Sequence, residues 1–314
     1  ATFGSFAAID KFSEAKEIAF DGSGVLTDKS LTINSVDSTN AGNTLSVLYS
    51  LENDIDEYIK SAISVYAKNN GITLNSILFE NVKHFETLGV TADFNGKRYA
   101  AGNKTLLKKV FGVSVEDDSD ESVIFVAEEG AVIGKVNYTR IDKINARGEI
   151  KELTDGAGMI ASLLSSDKVS VVNAMKDKLG LDNAVAGASP KYKAEYVKNS
   201  GAVYVGDSEY DANTIRLLDG ECVSVGGEKV YKNGLTVSGR DVRQIPVAVK
   251  IAKRTTKKKK FITLFTSIVK AAAIVTGVVL FAVKGNYMSI PILGCLVTDV
   301  ISFFIAAINL TDPA

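Results

Sequence analysis

The stretch AFDGSGVLTDKS, residues 19–30, decides how this chain is interpreted. In it, Asp21 follows the apolar run EIAF, residues 17–20, and precedes small and hydroxyl-bearing residues. An aspartate can accept a phosphoryl group as a nucleophile, but aspartates are also common in turns. Which of the two applies depends on the chemistry that the rest of the chain brings to the same place.

Composition excludes several classes of site. The chain has 314 residues, which suggests two domains, and a formal net charge of −1, which does not favour a nucleic-acid partner. His84 is the single histidine, so His-based triads and multi-His metal sites are excluded. The two cysteines, Cys222 and Cys295, lie far apart in sequence. They form no disulfide framework, and so few cysteines are typical of a protein in a reducing cytosol.

The start of the chain has neither an initiator methionine nor a signal-peptide pattern. The first residues are predicted to lie inside an amphipathic helix. We therefore expect a fragment of a longer protein or the product of a split gene.

Helical and strand patterns alternate along the first 250 residues. EIAF predicts a strand that ends at Asp21, and residues 45–70 carry apolar residues at helical spacing. Two β-hairpins are predicted around the turns at residues 95–96 and 129–130. Farther along, helices alternate with short apolar strands, which predicts a doubly wound parallel sheet. A β-rich module is thus inserted after the first strand of an α/β domain.

The composition changes near residue 255. The basic run KRTTKKKK, residues 253–260, precedes two apolar runs, residues 261–283 and 288–310, each 23 residues long. At about 1.5 Å per residue, each run is long enough to cross about 30 Å of hydrocarbon. The flanking lysines favour a membrane hairpin over a buried soluble one and should face the cytoplasm. We expect an integral membrane protein with cytoplasmic catalytic domains.

Acidic and hydroxyl side chains follow three of the predicted strands. In chain order they are Asp21, then Ser165, Ser166 and Asp167, then Asp207 and Asp211, with Lys193 opening a helix ahead of the last group. Ligands of doubly wound sheets bind beyond the carboxyl ends of the strands. A nucleophilic carboxylate, a phosphate-binding hydroxyl, a lysine and carboxylates suited to Mg²⁺ therefore predict phosphoryl chemistry.

These motifs resemble those of P-type ATPases, whose phosphorylation domain has the haloacid dehalogenase fold. FDGSGVLT at 20–27 looks like F-D-K-T-G-T-L-T, and SSD at 165–167 is similar to T-G-D. SPKYKAEYVK at 189–198 resembles the P-x-x-K segment, and VGDSEYDA at 205–212 resembles V-G-D-G-x-N-D-A. The likeness covers nearly the whole chain.

The resemblance implies three parts. Residues 1–34 and 139–250 would form the haloacid dehalogenase-like phosphorylation domain. Residues 35–138 would form an inserted α+β nucleotide-binding domain, and residues 251–314 a membrane hairpin of two helices.

The resemblance also implies a role for each motif residue. Asp21 would attack the γ-phosphate of ATP, Ser165 and Lys193 would grip the phosphoryl group, and Asp211 would orient Lys193. Asp167 would contribute to cofactor binding.

Mg²⁺ and ATP are the implied cofactors. Asp207, helped by the Asp21 carboxylate and the Ser23 carbonyl, would hold Mg²⁺.

The signature is incomplete around the nucleophile. Gly22 replaces its lysine, Ser23 and Val25 replace its two threonines, Ser166 replaces the glycine of T-G-D, and Tyr210 replaces an asparagine. The lost charge and the lost hydroxyl weaken the electrostatic support for a transferring phosphoryl group. At a preorganised site such support lowers the barrier by on the order of several kcal/mol.

The nucleotide module departs as well. Its small size resembles the heavy-metal class, yet Glu57 and Tyr58 stand where that class has His and Pro for adenine. Of its G-x-G motif only Gly89 is left, whereas the later glycine motif is matched by Gly102 and Asn103; these three residues are the implied nucleotide contacts.

The predicted hairpin holds two charges at matching depth, Lys270 and Asp299. Intramembrane charges are costly and usually face a partner or a pathway. Zinc- and cadmium-type pumps are similar in placing a Lys and an Asp on these helices, so Asp299 is the predicted transported-cation ligand and Lys270 its counter-ion. A purely structural ion pair is the alternative.

The sequence therefore predicts the C-terminal part of a P-type ATPase that couples aspartyl phosphorylation to cation transport. Its predicted partners are ATP, a transported cation, the lipid membrane and a missing N-terminal half with the actuator domain and earlier helices. A divalent metal ion is the expected cation. One alternative is a pseudo-ATPase that serves as a regulatory or binding module. Another is a membrane-anchored phosphatase, against which Ser23 argues because such enzymes usually carry a second Asp there.

Overall fold

The computed structural model describes residues 1–51, 57–85, 88–117, 119–284, 294–295 and 297–304. The chain divides into two compact units. The first contains Ala1–Gly4 and Ala15–Pro246, and the second contains Ser5–Glu14 and the chain from Val247 onward.

The described residues form the following strands and helices. The strands are β1 (Thr2–Phe3), β2 (Glu17–Phe20), β3 (Thr27–Asp37), β4 (Glu80–Phe85), β5 (Gly89–Phe94), β6 (Lys97–Gly102), β7 (Ser122–Glu128), β8 (Ala131–Asp142), β9 (Ile160–Leu164), β10 (Asn183–Val185), β11 (Val203–Asp207), β12 (Val223–Val225) and β13 (Leu235–Val237). The helices are α1 (Phe6–Glu14), α2 (Ala41–Leu51), α3 (Glu57–Asn69), α4 (Lys104–Phe111), α5 (Ala146–Lys151), α6 (Val169–Leu179), α7 (Pro190–Ser200), α8 (Ala212–Leu217) and α9 (Gln244–Lys284).

One sheet has the strand order β1-β13-β12-β11-β2-β9-β10. Every pairing in it is parallel except the antiparallel pair of β1 with β13. The interior strand β2 buries Ile18, Ala19 and Phe20 almost completely, as expected for a parallel strand covered on both faces. The predicted doubly wound parallel sheet is confirmed.

The other sheet is antiparallel, in the order β3-β8-β7-β6-β5-β4. The two predicted hairpins, β5–β6 and β7–β8, are confirmed. Both turn residues have positive φ in each hairpin, +49° and +75° at residues 95–96 and +51° and +86° at residues 129–130. Two positive φ values are what a two-residue hairpin turn requires.

The core of this antiparallel sheet lies under helices α2 and α3. Leu48 and Ile63 are fully buried and share one cluster with Val90, Val126 and Val136 from the strands. Strands β3 and β8 both run across the predicted domain boundaries, which stay predictions.

Two predicted helices begin elsewhere in the structure. The helix predicted from residue 45 begins at Ala41, after an Asn40 side chain that accepts the Asn43 N–H at 3.0 Å. The structure describes its continuation as α3, and residues 52–56 lie outside the described residues. The helix expected at the first residue begins at Phe6, because the residues before it form β1 on the edge of the parallel sheet.

In the second unit, α9 is 41 residues long and continues through the basic run. Among the described residues, its segment Gln244–Val279 is the one helix long and apolar enough to cross a membrane. Of the second predicted span, residues 294–295 and 297–304 are helical, and its other residues lie outside the described part of the chain.

Helix α1 contacts α9 through charged side chains of this unit. Lys259 pairs with Asp10 at 2.6 Å and Lys260 pairs with Glu14 at 3.1 Å. Acidic residues contribute little to the orientation bias set by lysine and arginine. These pairs therefore leave the predicted topology of the membrane segment unchanged.

Candidate active site

The parallel sheet brings the predicted strand-end residues to one edge. Phe20 of β2 lies opposite Leu163 of β9 and Val205 of β11. The N–H of Asp21 then donates to the Val205 carbonyl at 2.8 Å. Asp21 and Ser165 directly follow β2 and β9, and Asp207 is the last residue of β11, so the three residues are neighbours at the carboxyl edge.

A buried lysine joins two of the predicted acids. Lys193 Nζ lies 2.8 Å from Asp21 Oδ1 and 3.3 Å from Asp211 Oδ1. The three residues are at most 5% exposed. Helix α7 aims the lysine here, because its cap Ser189 accepts the Tyr192 N–H and Pro190 starts the first turn. The sequence predicted this cluster, and the structure brings all three residues together.

Asp211 is held by two further hydroxyl groups. Thr214 Oγ1 donates to its Oδ1 at 2.7 Å, and the fully buried Tyr204 OH donates to its Oδ2. Sequence reasoning missed both residues. Thr214 lies one helical turn beyond Asp211, which is a detectable signal, whereas Tyr204 occupies an ordinary apolar strand position.

Burial changes how these groups titrate. It raises the pKa of Asp21 to about 6, although the Lys193 ammonium opposes the rise. Burial also works to lower the pKa of Lys193, but the Asp21 and Asp211 carboxylates outweigh it and raise that pKa above its usual value. Asp21 therefore sits beside a cation that stays charged across the physiological range.

Ser165 lies close to the loop that follows Asp21. Its Oγ donates to Asp167 Oδ2 at 2.8 Å and accepts the Asp167 N–H at 3.2 Å. A Cβ added to Gly22 would lie 3.5 Å from Ser165 Oγ, an ordinary contact distance. The hydroxyl predicted to bind phosphate is therefore next to the nucleophile loop.

Asp207 is fully buried against the same loop. Its Oδ1 accepts the N–H groups of Glu209 at 2.9 Å and Tyr210 at 3.1 Å. A Cβ on Gly24, whose φ is +75°, would lie 2.9 Å from Asp207 Oδ2, so the loop backbone fits tightly over this carboxylate. Carboxylate oxygens are the hard donors that Mg²⁺ prefers, so the Asp207 carboxylate suits this ion.

Two basic residues absent from the sequence-based prediction complete this edge. Arg240 Nε donates to Asp207 Oδ2 at 2.9 Å, and Lys143 Nζ donates to the carbonyls of Gly24 at 2.8 Å and Arg240 at 3.0 Å. Burial lowers the pKa of Lys143 below its usual value, although the Asp207 charge opposes this. No sequence motif indicates Arg240 as a partner of Asp207, from which it is separated by 33 residues.

Tyr210, which replaces the asparagine of the last motif, lies beside a further cation. The Lys29 ammonium is 4.6 Å from the centre of the Tyr210 ring and pairs with Glu209. Lys29 is almost completely buried, with a side chain that is 7% exposed. This arrangement adds positive charge from β3 near the site, although position 22 itself carries none.

The predicted nucleotide contacts have clear structural roles. Gly89 and Gly102 face each other across β5 and β6. Added Cβ atoms would come within 2.1 Å of the Ala101 and Leu88 carbonyl oxygens, so neither position accepts a side chain. Asn103 caps α4 by accepting the Thr105 N–H at 3.0 Å and the Leu106 N–H. Their contact with a nucleotide stays a prediction.

Tyr58, which replaces the family's adenine motif, lines a cavity of about 190 Å³ between β3 and α3. Leu31, Ile33 and Tyr66 are among its other lining residues. The cavity has both apolar walls and aromatic rings, which suits a flat heterocycle.

In the second unit, the predicted pair of intramembrane charges is present. Lys270 Nζ lies 2.6 Å from Asp299 Oδ1. The pairing follows from the matching depth that the sequence indicated, and whether a cation binds here stays a prediction.

The chain is similar in sequence to several heavy-metal P-type ATPases. No protein-family model matches the chain. It is 25% identical to copper-exporting P-type ATPase B of Archaeoglobus fulgidus over 316 aligned residues, 96% of this chain and 45% of the relative. It is 24% identical to a cadmium/zinc-transporting ATPase of Arabidopsis thaliana over 80% of this chain and 28% of that protein. The chain spans less than half the length of these relatives.

Solved structures agree with the fold. The catalytic domain of the CPx-ATPase CopB-B, from a study of its conformational changes upon nucleotide binding, superposes with a TM-score of 0.61 at 21% identity, covering 76% of this chain and 90% of that domain. A zinc-transporting PIB-type ATPase in its E2.Pi state superposes with a TM-score of 0.55 at 18% identity, covering 97% of this chain and 51% of that protein. The predicted resemblance is confirmed: sequence and fold together relate the chain to the heavy-metal P-type ATPases.

Proposed function

We propose that the chain accepts the γ-phosphoryl group of ATP on Asp21, as the phosphorylation step of a heavy-metal cation pump. The observation that carries the proposal is the buried cluster of Asp21, Lys193 and Asp211 next to Ser165. Transport itself is proposed for the longer protein, since the relatives are more than twice as long as the matched region.

In the proposed step, the Asp21 carboxylate forms a bond to the γ-phosphorus while the bond from that phosphorus to the bridging oxygen of ADP breaks. Lys193 offsets the negative charge of the incoming phosphoryl group, and Ser165 Oγ donates a hydrogen bond to it. Asp211 fixes the lysine through the contact at 3.3 Å. Because the pKa of Asp21 is about 6, most of this carboxyl group is ionised at neutral pH.

Asp21, Asp207 and the Ser23 carbonyl are the residues that would hold Mg²⁺. When bound, this ion would supply charge neutralisation for the phosphoryl oxygens. For the nucleotide, we propose that the base stacks on Tyr58 in the cavity between β3 and α3, while Gly89, Gly102, Asn103 and Asp167 remain the predicted contacts.

The alternative of a pseudo-ATPase is favoured by Gly22, Val25 and the engagement of Asp207 by Arg240. Restoring the family residues tests it. The double variant Gly22→Lys with Val25→Thr should raise Asp21 phosphorylation at least tenfold, because one charge and one hydroxyl return to the phosphoryl site. A Cβ at position 22 meets only ordinary contacts of 3.5 Å or more, so the first side-chain atom of the lysine is accommodated without a clash.

The measurement is acid-stable labelling by γ-labelled ATP in detergent-solubilised protein. The same double variant carrying Asp21→Asn is the control and should stay unlabelled. If the double variant binds nucleotide and still remains unlabelled, the chain is a pseudo-ATPase and the proposed function is wrong.

We further propose that Asp299 is the cation ligand and Lys270 its counter-ion. The basic run of α9, residues 253–260, would lie on the cytoplasmic side. A carboxylate favours a divalent ion such as Zn²⁺ over Cu(I), which prefers thiolate and thioether ligands. This choice concerns the chain's own donors and not the cargo named for its relatives.

A double-mutant cycle tests the pair. Lys270→Ala and Asp299→Ala should each lower the melting temperature in detergent, and the double variant should lose less than the sum, because each single variant leaves one charge without its partner. Lys270→Ala should also tighten Zn²⁺ binding in calorimetry by removing the competing ammonium. Additive losses with unchanged Zn²⁺ affinity would mean that the residues neither pair nor share a site.

A further inference from the structure

The two oxygens of Asp207 have separate partners. Oδ1 accepts two N–H groups of its own turn, at 2.9 and 3.1 Å, which fixes the carboxylate in place. Oδ2 accepts Arg240 Nε at 2.9 Å. Oδ2, which receives neither of these two N–H groups, is therefore bonded to a guanidinium group, which stays charged at all relevant pH values.

Arg240 is held in position by several independent contacts. Its NH2 group donates to Glu209 Oε2 at 2.9 Å, so the guanidinium bridges two carboxylates. Its carbonyl accepts Lys143 Nζ at 3.0 Å, which ties it to the lysine bound to Gly24. A Cβ on Gly226 would lie 2.5 Å from Arg240 Nε, so the side chain passes directly over a residue that must remain glycine.

The backbone of Arg240 also supports a fixed position. Its φ of +51° is in the left-handed region, which a non-glycine residue occupies only where its surroundings hold it there. The surrounding contacts therefore hold Arg240 over Asp207.

We propose that Arg240 is a built-in counter-cation of Asp207 that competes with Mg²⁺ for this carboxylate. A guanidinium and Mg²⁺ held against Oδ2 repel each other, so Mg²⁺ binds Asp207 more tightly when the guanidinium leaves it. Glu209 does not depend on Arg240 alone, because Lys29 also pairs with it. The inference rests on the proposed function only in taking Asp207 as a Mg²⁺ ligand.

The competition predicts opposite effects of one substitution in the absence and presence of metal. Without Mg²⁺, Arg240→Gln should lower the melting temperature, because the buried Asp207 carboxylate loses its cation. With Mg²⁺, the apparent dissociation constant of the variant should be at least tenfold lower than that of the unsubstituted protein, a change of about 1.4 kcal/mol. Both quantities come from Mg²⁺ titrations of melting temperature and from calorimetry, without nucleotide.

Arg243→Gln is the matched control. Arg243 is exposed and pairs with Asp241 at 2.8 Å, so its loss should leave Mg²⁺ affinity unchanged. Asp207→Asn should abolish the Mg²⁺ response in the presence and in the absence of Arg240. Should Arg240→Gln fail to fold, Arg240→Lys, which keeps a charge but cannot bridge two carboxylates with a planar fork, should still bind Mg²⁺ several-fold more tightly.

Equal Mg²⁺ affinity in the unsubstituted protein and in every folded Arg240 variant would overturn the inference, as would the absence of a Mg²⁺ response in all of them. Labelling of Asp21 by ATP reports the proposed function separately. Labelling that persists together with equal Mg²⁺ affinities would leave the proposed function standing and remove only the role of Arg240.

Discussion

Replacing Asp21 with asparagine is expected to reduce labelling by γ-labelled ATP to background. The amide cannot form the acyl phosphate, and loss of the covalent nucleophile costs rate on the order of 10⁶-fold in a well-studied serine protease. The label on the unsubstituted protein should be stable in acid and released by hydroxylamine, as an acyl phosphate requires.

Asp37→Asn is the matched control for this loss. Asp37 is the exposed last residue of β3. Its substitution therefore makes the same change from carboxylate to amide, but away from the strand-end cluster. It should keep full labelling. Label that persists in Asp21→Asn would move the acceptor to another residue and remove the basis of the proposed mechanism.

Replacing Lys193 with methionine is expected to have the largest effect on stability. The lysine is 4% exposed and is bonded to two carboxylates that are equally buried. Removing one partner of a buried ion pair costs about 3–5 kcal/mol, because the remaining charges are left unpaired in a medium of low polarity. At about 2–4 °C per kcal/mol for a unit of this size, the melting temperature should fall by roughly 6–20 °C.

The effect should depend on pH in a definite direction. The pKa of folded Asp21 is raised from 3.8 to about 6, so its contribution to stability is complete below pH 3.8 and is lost as the pH rises through about 6. Without Lys193 the lowering influence disappears and this pKa rises further. The difference in melting temperature between the variant and the unsubstituted protein should therefore narrow as the pH falls from 8 to 5.

Lys191→Met controls for the loss of a lysine from the same helix. Its side chain is 83% exposed and its nearest acidic partner, Glu195, is 3.9 Å away. It should leave the melting temperature almost unchanged at every pH. A deficit in Lys193→Met that does not vary with pH would mean that packing, and not the two carboxylates, accounts for the loss.

Local patterns in the sequence predicted much of the fold and the central cluster. The strand before Asp21 and the two hairpins each depend on residues close in sequence, whose periodicity and turn chemistry are visible without tertiary structure. The order of the strand-end motifs also predicted that Asp21, Ser165 and Asp207 would meet, because the carboxyl ends of parallel strands share one edge.

Some features could not be predicted in this way. The first helix begins later than its amphipathic pattern suggested, because the residues before it pair with β13 from the far end of the unit. Glycines matched to nucleotide motifs, Gly89 and Gly102, are required by the close approach of two strands. A motif records which residue type is present, whereas the competing structural reason appears only when its neighbours in space are known.

The sequence by itself therefore determined the position of Asp21 directly after β2, the parallel sheet and the relation to P-type ATPases. Only the tertiary structure decided which cations surround the acids: Arg240 on Asp207 across 33 residues and Lys29 on Glu209 across 180 residues. The physical reason is that helix and strand patterns repeat over a few residues, whereas an ion pair depends on where the folded backbone places two distant side chains. Charge at a site is summed in space, and the order of residues along the chain does not encode that sum.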